Sequence, residues 1–150
     1  MDKAKSVLTP EQAAELLKGA MEARDHAYTP VSHLHVGAAL LTKEGKGYQG
    51  GNIENAAYSP RVCAERTAFF KAVYEGERNF KAIAIMGGPE TVKGPDCDIC
   101  APCGICRQVM MEFCDPGTFE ILLGTPEKYE IYTLKEILPL GFGSANLKKK

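Results

Sequence analysis

The chain carries Pro102-Cys103-Gly104-Ile105-Cys106-Arg107-Gln108-Val109, and upstream of it Cys63-Ala64-Glu65-Arg66-Thr67-Ala68. Cys103 and Cys106 stand three residues apart at the start of a predicted helix, so both can face one metal ion. Zinc takes thiolates in tetrahedral geometry, and a catalytic zinc keeps three protein ligands and leaves the fourth position for water. A third ligand must come from elsewhere, and Cys63 opens another predicted helix. Both helix N-termini would then point at the ion, where their partial positive charge favours thiolate over thiol. Glu65 lies two residues beyond Cys63 and need not be a ligand. It can sit beside a metal-activated water and carry its proton. Three thiolates on a divalent ion leave the set with a formal charge of about −1. A neighbouring guanidinium would offset this, and Arg66 is the first choice over Arg107.

Working outward, Thr9-Pro10-Glu11-Gln12 reads as a capped helix start, followed by Ala13, Leu16, Leu17, Ala20 and Met21 at helical spacing to about Ala27. Residues 36–42 and 47–53 read as strands joined by the turn Lys43-Glu44-Gly45-Lys46. A helix is predicted over 63–75, a strand over 80–86, a loop over 92–102 and a helix over 104–113. Strands 119–123 and 129–133 are joined by so short a connection that they must pair antiparallel. A short helix over 133–138 ends before Pro139. This order predicts an α/β fold: a mixed sheet with helices on both faces. No repeat or linker interrupts it, so residues 1–150 are expected to form a single domain.

Apolar residues make up 45 % and charged residues 25 % of 150, with a net charge of −1. That balance lacks the basic footprint of a nucleic-acid groove; Lys148-Lys149-Lys150 reads as a solvated tail. No window approaches the roughly 18 apolar residues of a membrane span. The start Met1-Asp2-Lys3-Ala4-Lys5 lacks an apolar signal core. A cytoplasmic location is expected. There thiols stay reduced, so the six cysteines point to metal or catalysis rather than disulfides.

These motifs, with Gly37-Ala38-Ala39-Leu40-Leu41 and Gly51-Asn52-Ile53-Glu54-Asn55-Ala56-Ala57-Tyr58, resemble the small homotetrameric, three-cysteine zinc type of cytidine deaminase over residues 28–142. The resemblance implies a three-layer sandwich around a five-stranded sheet. It implies one zinc per chain on Cys63, Cys103 and Cys106, with Glu65 as proton shuttle, which is also the general pattern of zinc deaminases. The activity it implies is hydrolysis of cytidine and deoxycytidine to the uridines and ammonia, in pyrimidine salvage. It assigns Asn52 and Glu54 to the ribose hydroxyls with Ile53 between them, and the Ala64 carbonyl to the exocyclic amine. Phe142 resembles an aromatic that reaches into a neighbouring subunit's site, so a homotetramer with shared sites is implied.

The chain departs from the family pattern in three places. Val31-Ser32-His33-Leu34 stands where the family has Tyr-Ser-His-Phe, so Leu34 replaces the aromatic that faces the base. An aromatic face contributes about 1 kcal/mol beyond area burial, and a weaker or altered grip on the base follows. His33 and His35 flank Leu34 and are not needed as ligands. Gly50-Gly51 replaces Gly-Cys, which predicts looser local packing. Cys97 and Cys100 extend the spacing of Cys103 and Cys106, an arrangement that raises an iron–sulfur reading. The competing functions are the same chemistry on another cytosine nucleoside or nucleoside antibiotic, and a non-catalytic zinc or iron–sulfur module.

Overall fold

Thr9 Oγ1 accepts from Gln12 N at 3.1 Å while Gln12 Oε1 accepts from Thr9 N at 2.9 Å. This reciprocal cap starts helix α1 (Pro10–Arg24) as the residue pattern predicts. The computed structural model describes residues 1–148; Lys149 and Lys150 of the terminal basic run lie outside the described residues. The remaining elements are β1 (Leu34–Thr42), β2 (Gly47–Gly51), α2 (Ala64–Tyr74), β3 (Phe80–Pro89), α3 (Gly104–Phe113), β4 (Glu120–Gly124), β5 (Tyr129–Thr133) and α4 (Leu134–Ile137). They form one five-stranded sheet in the order β2-β1-β3-β4-β5. Only β3 and β4 run parallel, so the sheet is mixed, and β4–β5 is the expected antiparallel hairpin. No described helix is long and apolar enough to cross a membrane.

The alternation of β1 and β3 divides the core in two. Leu17 and Ala20 of α1 pack with Ala39, Ala84 and Met86 on one face. Ala68 and Phe69 of α2 and Met110 of α3 pack with Ala38, Leu40, Ile83 and Ile85 on the other. Phe69 anchors that second face, its ring centroid 5.1 Å from Phe80, 6.2 Å from Phe113 and 6.1 Å from Phe119. The helices therefore cover both faces, and α2 and α3 lie together on one of them.

Two strands run longer than their apolar patterns. β1 begins at Leu34 and β3 continues to Pro89. The cause is Arg24, buried at the end of α1, whose Nε donates to His35 O and whose NH2 donates to Gly88 O, Pro89 O and Val92 O. One guanidinium thus satisfies carbonyls from both strand ends, which burial would otherwise leave unpaired. β2 is shorter than predicted and ends at Gly51.

The two glycines of β2 mark close approaches rather than loose packing. A Cβ at Gly51 would lie 3.1 Å from Ala27 N and 3.2 Å from Ala23 O. A Cβ at Gly50 would lie 2.5 Å from both Ala64 O and Ala68 N. The looser packing predicted for Gly50-Gly51 is not found, because helix backbone fills the space a side chain would take. Since Ala64 and Ala68 belong to the helix that carries Glu65, Gly50→Ala should push the start of α2 outward. The expected cost is about 3 kcal/mol, or on the order of 10 °C in Tm for a domain of this size. A thermal melt checks this; an unchanged Tm would mean that the β2–α2 approach is not tight.

Candidate metal and substrate site

α2 and α3 both begin with a cysteine at the N-cap position. Cys63 (φ −77°, ψ 157°) and Cys103 (φ −67°, ψ 165°) have extended backbone, and neither makes a side-chain cap hydrogen bond. With no cap bond to hold them, the two thiols turn toward one another. Cys106, one helical turn into α3, completes the group. Cys63 Sγ lies 3.7 Å from Cys103 Sγ, and Cys103 Sγ lies 3.5 Å from Cys106 Sγ. All three sulfurs fall within 4.8 Å of one another. A tetrahedral zinc with Zn–S bonds near 2.3 Å requires sulfurs roughly 3.8 Å apart. Two of the sulfur pairs stand near that spacing and the third within 4.8 Å, so the thiol set fits zinc.

The thiols share their protons unequally. A hydrogen bond from Cys106, opposed by burial and aided by Arg66 and Cys103, holds Cys63 far below the ordinary thiol range, at about 5. The same Cys63–Cys106 hydrogen bond and burial push Cys106 up. Arg66 NH2 stands 3.4 Å from Cys63 Sγ, and its Nε is buried with no hydrogen-bond partner among the described residues. Arg107 turns away: its Nε donates to Pro102 O and its NH1 to Ile137 O. Of the two arginines, the structure places Arg66 at the sulfurs.

Glu65 is 3 % exposed. Burial raises its carboxyl from 4.5 to about 7, opposed by its backbone N–H and aided by the neighbouring Cys63 charge. A cation on the thiols would draw it down again. A carboxyl near neutrality can both take and return a proton at the pH where proteins work.

Cys63, Cys103, Glu65 and Arg66 line a cavity of about 680 Å³. Leu34, Asn52, Glu54, Ala64 and Arg61 line it as well. Glu54 Oε1 accepts from Val31 N and Ser32 N at 3.0 Å, and Oε2 from Ser32 Oγ at 2.5 Å. The Ser32 hydroxyl, then the Ser32 backbone N–H, hold its carboxyl below the ordinary range despite burial. Asn52 Oδ1 accepts from Val36 N and Asn52 Nδ2 donates to Leu34 O. The amide thus braces the start of β1 and keeps one N–H for a ligand. Ile53 bridges Tyr28 and Val62 through its backbone and lies outside the cavity lining. Phe142, 57 % exposed, also lies outside it, on a tail whose carbonyl accepts from Gln108 Nε2. His33 and His35 both reach Glu90, at 3.2 Å and 3.5 Å, so neither approaches the thiols.

Cys97 and Cys100 do not join the cluster. A Cβ at Gly87 would meet Cys100 Sγ at 2.8 Å, and one at Gly88 would meet Cys97 Sγ at 2.9 Å. Successive strand residues face opposite sides, so the two thiols straddle β3. Cys100 packs with the α2–α3 core and Cys97 with the α1 core. The spacing that raised an iron–sulfur reading therefore does not gather four sulfurs. Ser32, Tyr58 and Arg61 also line the cavity, and no periodicity or ligand spacing in the sequence marks them as site residues.

Residues 10–119 match the family model described as the cytidine and deoxycytidylate deaminase zinc-binding region. A cytidine deaminase of Sporosarcina psychrophila is 45 % identical over 133 residues, 89 % of this chain and 93 % of that protein. One of Halalkalibacterium halodurans is 44 % identical over 133 residues, 88 % of this chain and 95 % of that protein. The crystal structure of cytidine deaminase from Burkholderia pseudomallei superposes with a TM-score of 0.76 at 41 % identity, covering 85 % of this chain and 97 % of that one.

Proposed function

The chain belongs to the cytidine and deoxycytidylate deaminase family, and from that premise we propose how its residues carry the hydrolysis of cytidine to uridine and ammonia. The protein is a zinc-dependent hydrolase of this family. The observation that carries the assignment of roles is a set of three thiols at zinc spacing beside one buried carboxyl, at a nucleoside-sized cavity. Cys63, Cys103 and Cys106 would hold the zinc, which when bound supplies a Lewis acid that makes water a nucleophile at neutral pH.

Glu65 takes the proton of the attacking water and delivers it to ring nitrogen 3, while carbon 4 of the pyrimidine receives the oxygen. It then moves a second proton to the departing amine, so that ammonia leaves and the carbonyl of uridine forms. Its burial disfavours the charged carboxylate, so that it takes up the proton of water more readily than an exposed glutamate does. Arg66, against Cys63 Sγ, withdraws charge from the thiolates and offsets their weakening of the Lewis acid. The Ala64 carbonyl accepts from the exocyclic amine. Glu54 and the free N–H of Asn52 take the sugar hydroxyls, and Leu34 covers the base. The hydroxyl of Ser32 and two backbone N–H groups aim the Glu54 carboxylate before substrate arrives, which saves reorganisation during the reaction.

Three finer readings complete the proposal. Deoxycytidine is a second substrate. Residues 1–150 form a single domain acting in the cytoplasm, where the six free cysteines stay reduced. The exposed Phe142 reaches a neighbouring subunit's site in a homotetramer. Incubation of zinc-loaded protein with cytidine and with deoxycytidine should show falling ultraviolet absorbance with release of ammonia. No turnover by protein carrying one zinc per chain would overturn the assignment to cytidine.

A further inference from the structure

Two histidines meet one carboxylate at a place the deamination chemistry does not use. His33 Nδ1 stands 3.2 Å from Glu90 Oε1, and His35 Nε2 stands 3.5 Å from Glu90 Oε2. Ser32 and Leu34, their neighbours in the chain, line the substrate cavity. His33 has φ 57°. A residue other than glycine stays in the left-handed region only where its surroundings enforce it. Here His33 N donates to Thr29 O at 3.0 Å, and His33 O accepts from Glu90 N at 2.8 Å. Glu90 therefore holds His33 twice, by its backbone N–H and by its carboxylate.

This clamp is anchored on one side and loaded on the other. Glu90 follows the end of β3, where Arg24 NH2 donates to Gly88 O, Pro89 O and Val92 O, and Val92 N donates to Pro89 O. The turn that carries Glu90 is thus fixed to α1. On the other side, Val31 N, Ser32 N and Ser32 Oγ donate to Glu54, and Ser32 Oγ accepts from Leu34 N at 3.1 Å. Residues 31–34 therefore aim the carboxylate assigned to the sugar and place the side chain assigned to the base. Glu22, Arg24, Asp25 and Lys93 line a second cavity together with His35 and Glu90. Arg24 is committed to backbone carbonyls, and among the described residues Glu90 is the acid that pairs with the histidines. All of these contacts lie within one chain and need no open surface.

We propose that Glu90 is a positioning residue for substrate binding: through His33 and His35 it holds residues 31–34 in the shape that aims Glu54 and places Leu34, and it holds them more firmly when the histidines are protonated. Histidine is the side chain that changes charge between pH 5 and 8. An imidazolium is attracted to the Glu90 carboxylate, and a neutral ring lacks that attraction. The clamp is therefore tight in mild acid and slack above neutrality. The inference rests on the reading of Glu54 as partner of the sugar and Leu34 as cover of the base. Proton transfer by Glu65 is untouched, since neither Glu90 nor the two histidines line the cavity that holds it.

The test measures KM and kcat on cytidine at pH 6 and pH 8 for zinc-loaded wild type, Glu90→Gln, His33→Asn and His35→Gln. Asparagine is chosen at position 33 because it tolerates left-handed backbone. The quantity read is KM at pH 8 divided by KM at pH 6. Titration of Glu65 enters every variant alike and cancels when these ratios are compared. Partly exposed ion pairs are weak, so the wild-type ratio should exceed that of Glu90→Gln by about two- to fivefold. His33→Asn and His35→Gln should each lose part of that excess, with zinc content and the pH profile of kcat unchanged. The dissociation constant of uridine, measured by calorimetry at both pH values, gives the same ratio without turnover. A Glu90 with a merely structural role would shift KM or Tm equally at both pH values; an equal ratio in wild type and Glu90→Gln overturns the proposal, as does a kcat profile that moves with Glu90. No turnover of cytidine would instead sink the deaminase reading, and the uridine ratio would still decide the clamp.

Discussion

Glu65→Gln should lower kcat on cytidine by on the order of 10³-fold or more while the protein keeps its zinc. The substitution preserves size and hydrogen bonding and removes only the ability to move protons. General acid–base catalysis typically contributes 10²–10⁴-fold, and one residue that serves successive transfers in both directions belongs at the upper end. Zinc content should not change, because the sulfurs that would hold it are those of Cys63, Cys103 and Cys106. Stability offers a second readout in the metal-free protein. Burial raises the Glu65 carboxyl from 4.5 to about 7. The folded state then binds the proton more tightly than the unfolded chain, so the group's contribution is fully present below pH 4.5 and is lost as pH rises toward 7. The neutral amide has no such loss. Metal-free Glu65→Gln should therefore be more stable than metal-free wild type at pH 8, with the difference shrinking in acid. Retention of near wild-type kcat would remove Glu65 from the proton path.

How far the residues reveal this arrangement depends on whether the cause is local. The cap of α1 is local, with Thr9 and Gln12 three positions apart, and it was readable. So were the helix starts at Cys63 and Cys103, because a helix boundary and a ligand spacing coincide there. The added length of β1 and β3 was not, because it depends on Arg24 reaching carbonyls at His35 and Gly88, far apart in the chain. Glu54 shows the same limit. Read alone it is a turn residue; its poise comes from Val31 and Ser32, which only the fold brings to it. Packing at Gly50 and Gly51 escapes the sequence for a related reason: the backbone that occupies the missing side-chain space comes from Ala23, Ala27, Ala64 and Ala68, which only the fold brings to β2. Glu90 carries no signal at all until the fold sets His33 and His35 beside it.

Cys103→Ala and Cys97→Ala should have opposite outcomes, although both remove one thiol from the same evenly spaced series. Cys103 supplies a sulfur 3.7 Å from Cys63 and 3.5 Å from Cys106, and its side chain is exposed rather than packed in the core. Without it two thiolates remain, too few to hold the ion against dialysis, so zinc and turnover should be lost together, with kcat down on the order of 10³-fold or more. The fold should survive, because little apolar area is removed. Ligand linkage makes the loss visible without an assay: a metal at 1,000 times its Kd stabilises by about 4 kcal/mol, on the order of 10 °C in Tm here. Wild type should show that rise on adding zinc, and Cys103→Ala should not. Cys97 lies across β3 from the cluster, against Gly88 and the α1 core. Its removal should leave zinc content, turnover and the zinc-dependent rise in Tm in place. If Cys97→Ala lost the metal as Cys103→Ala does, the four cysteines would be acting as one unit, and the separation by strand face on which the three-thiol site depends would be wrong.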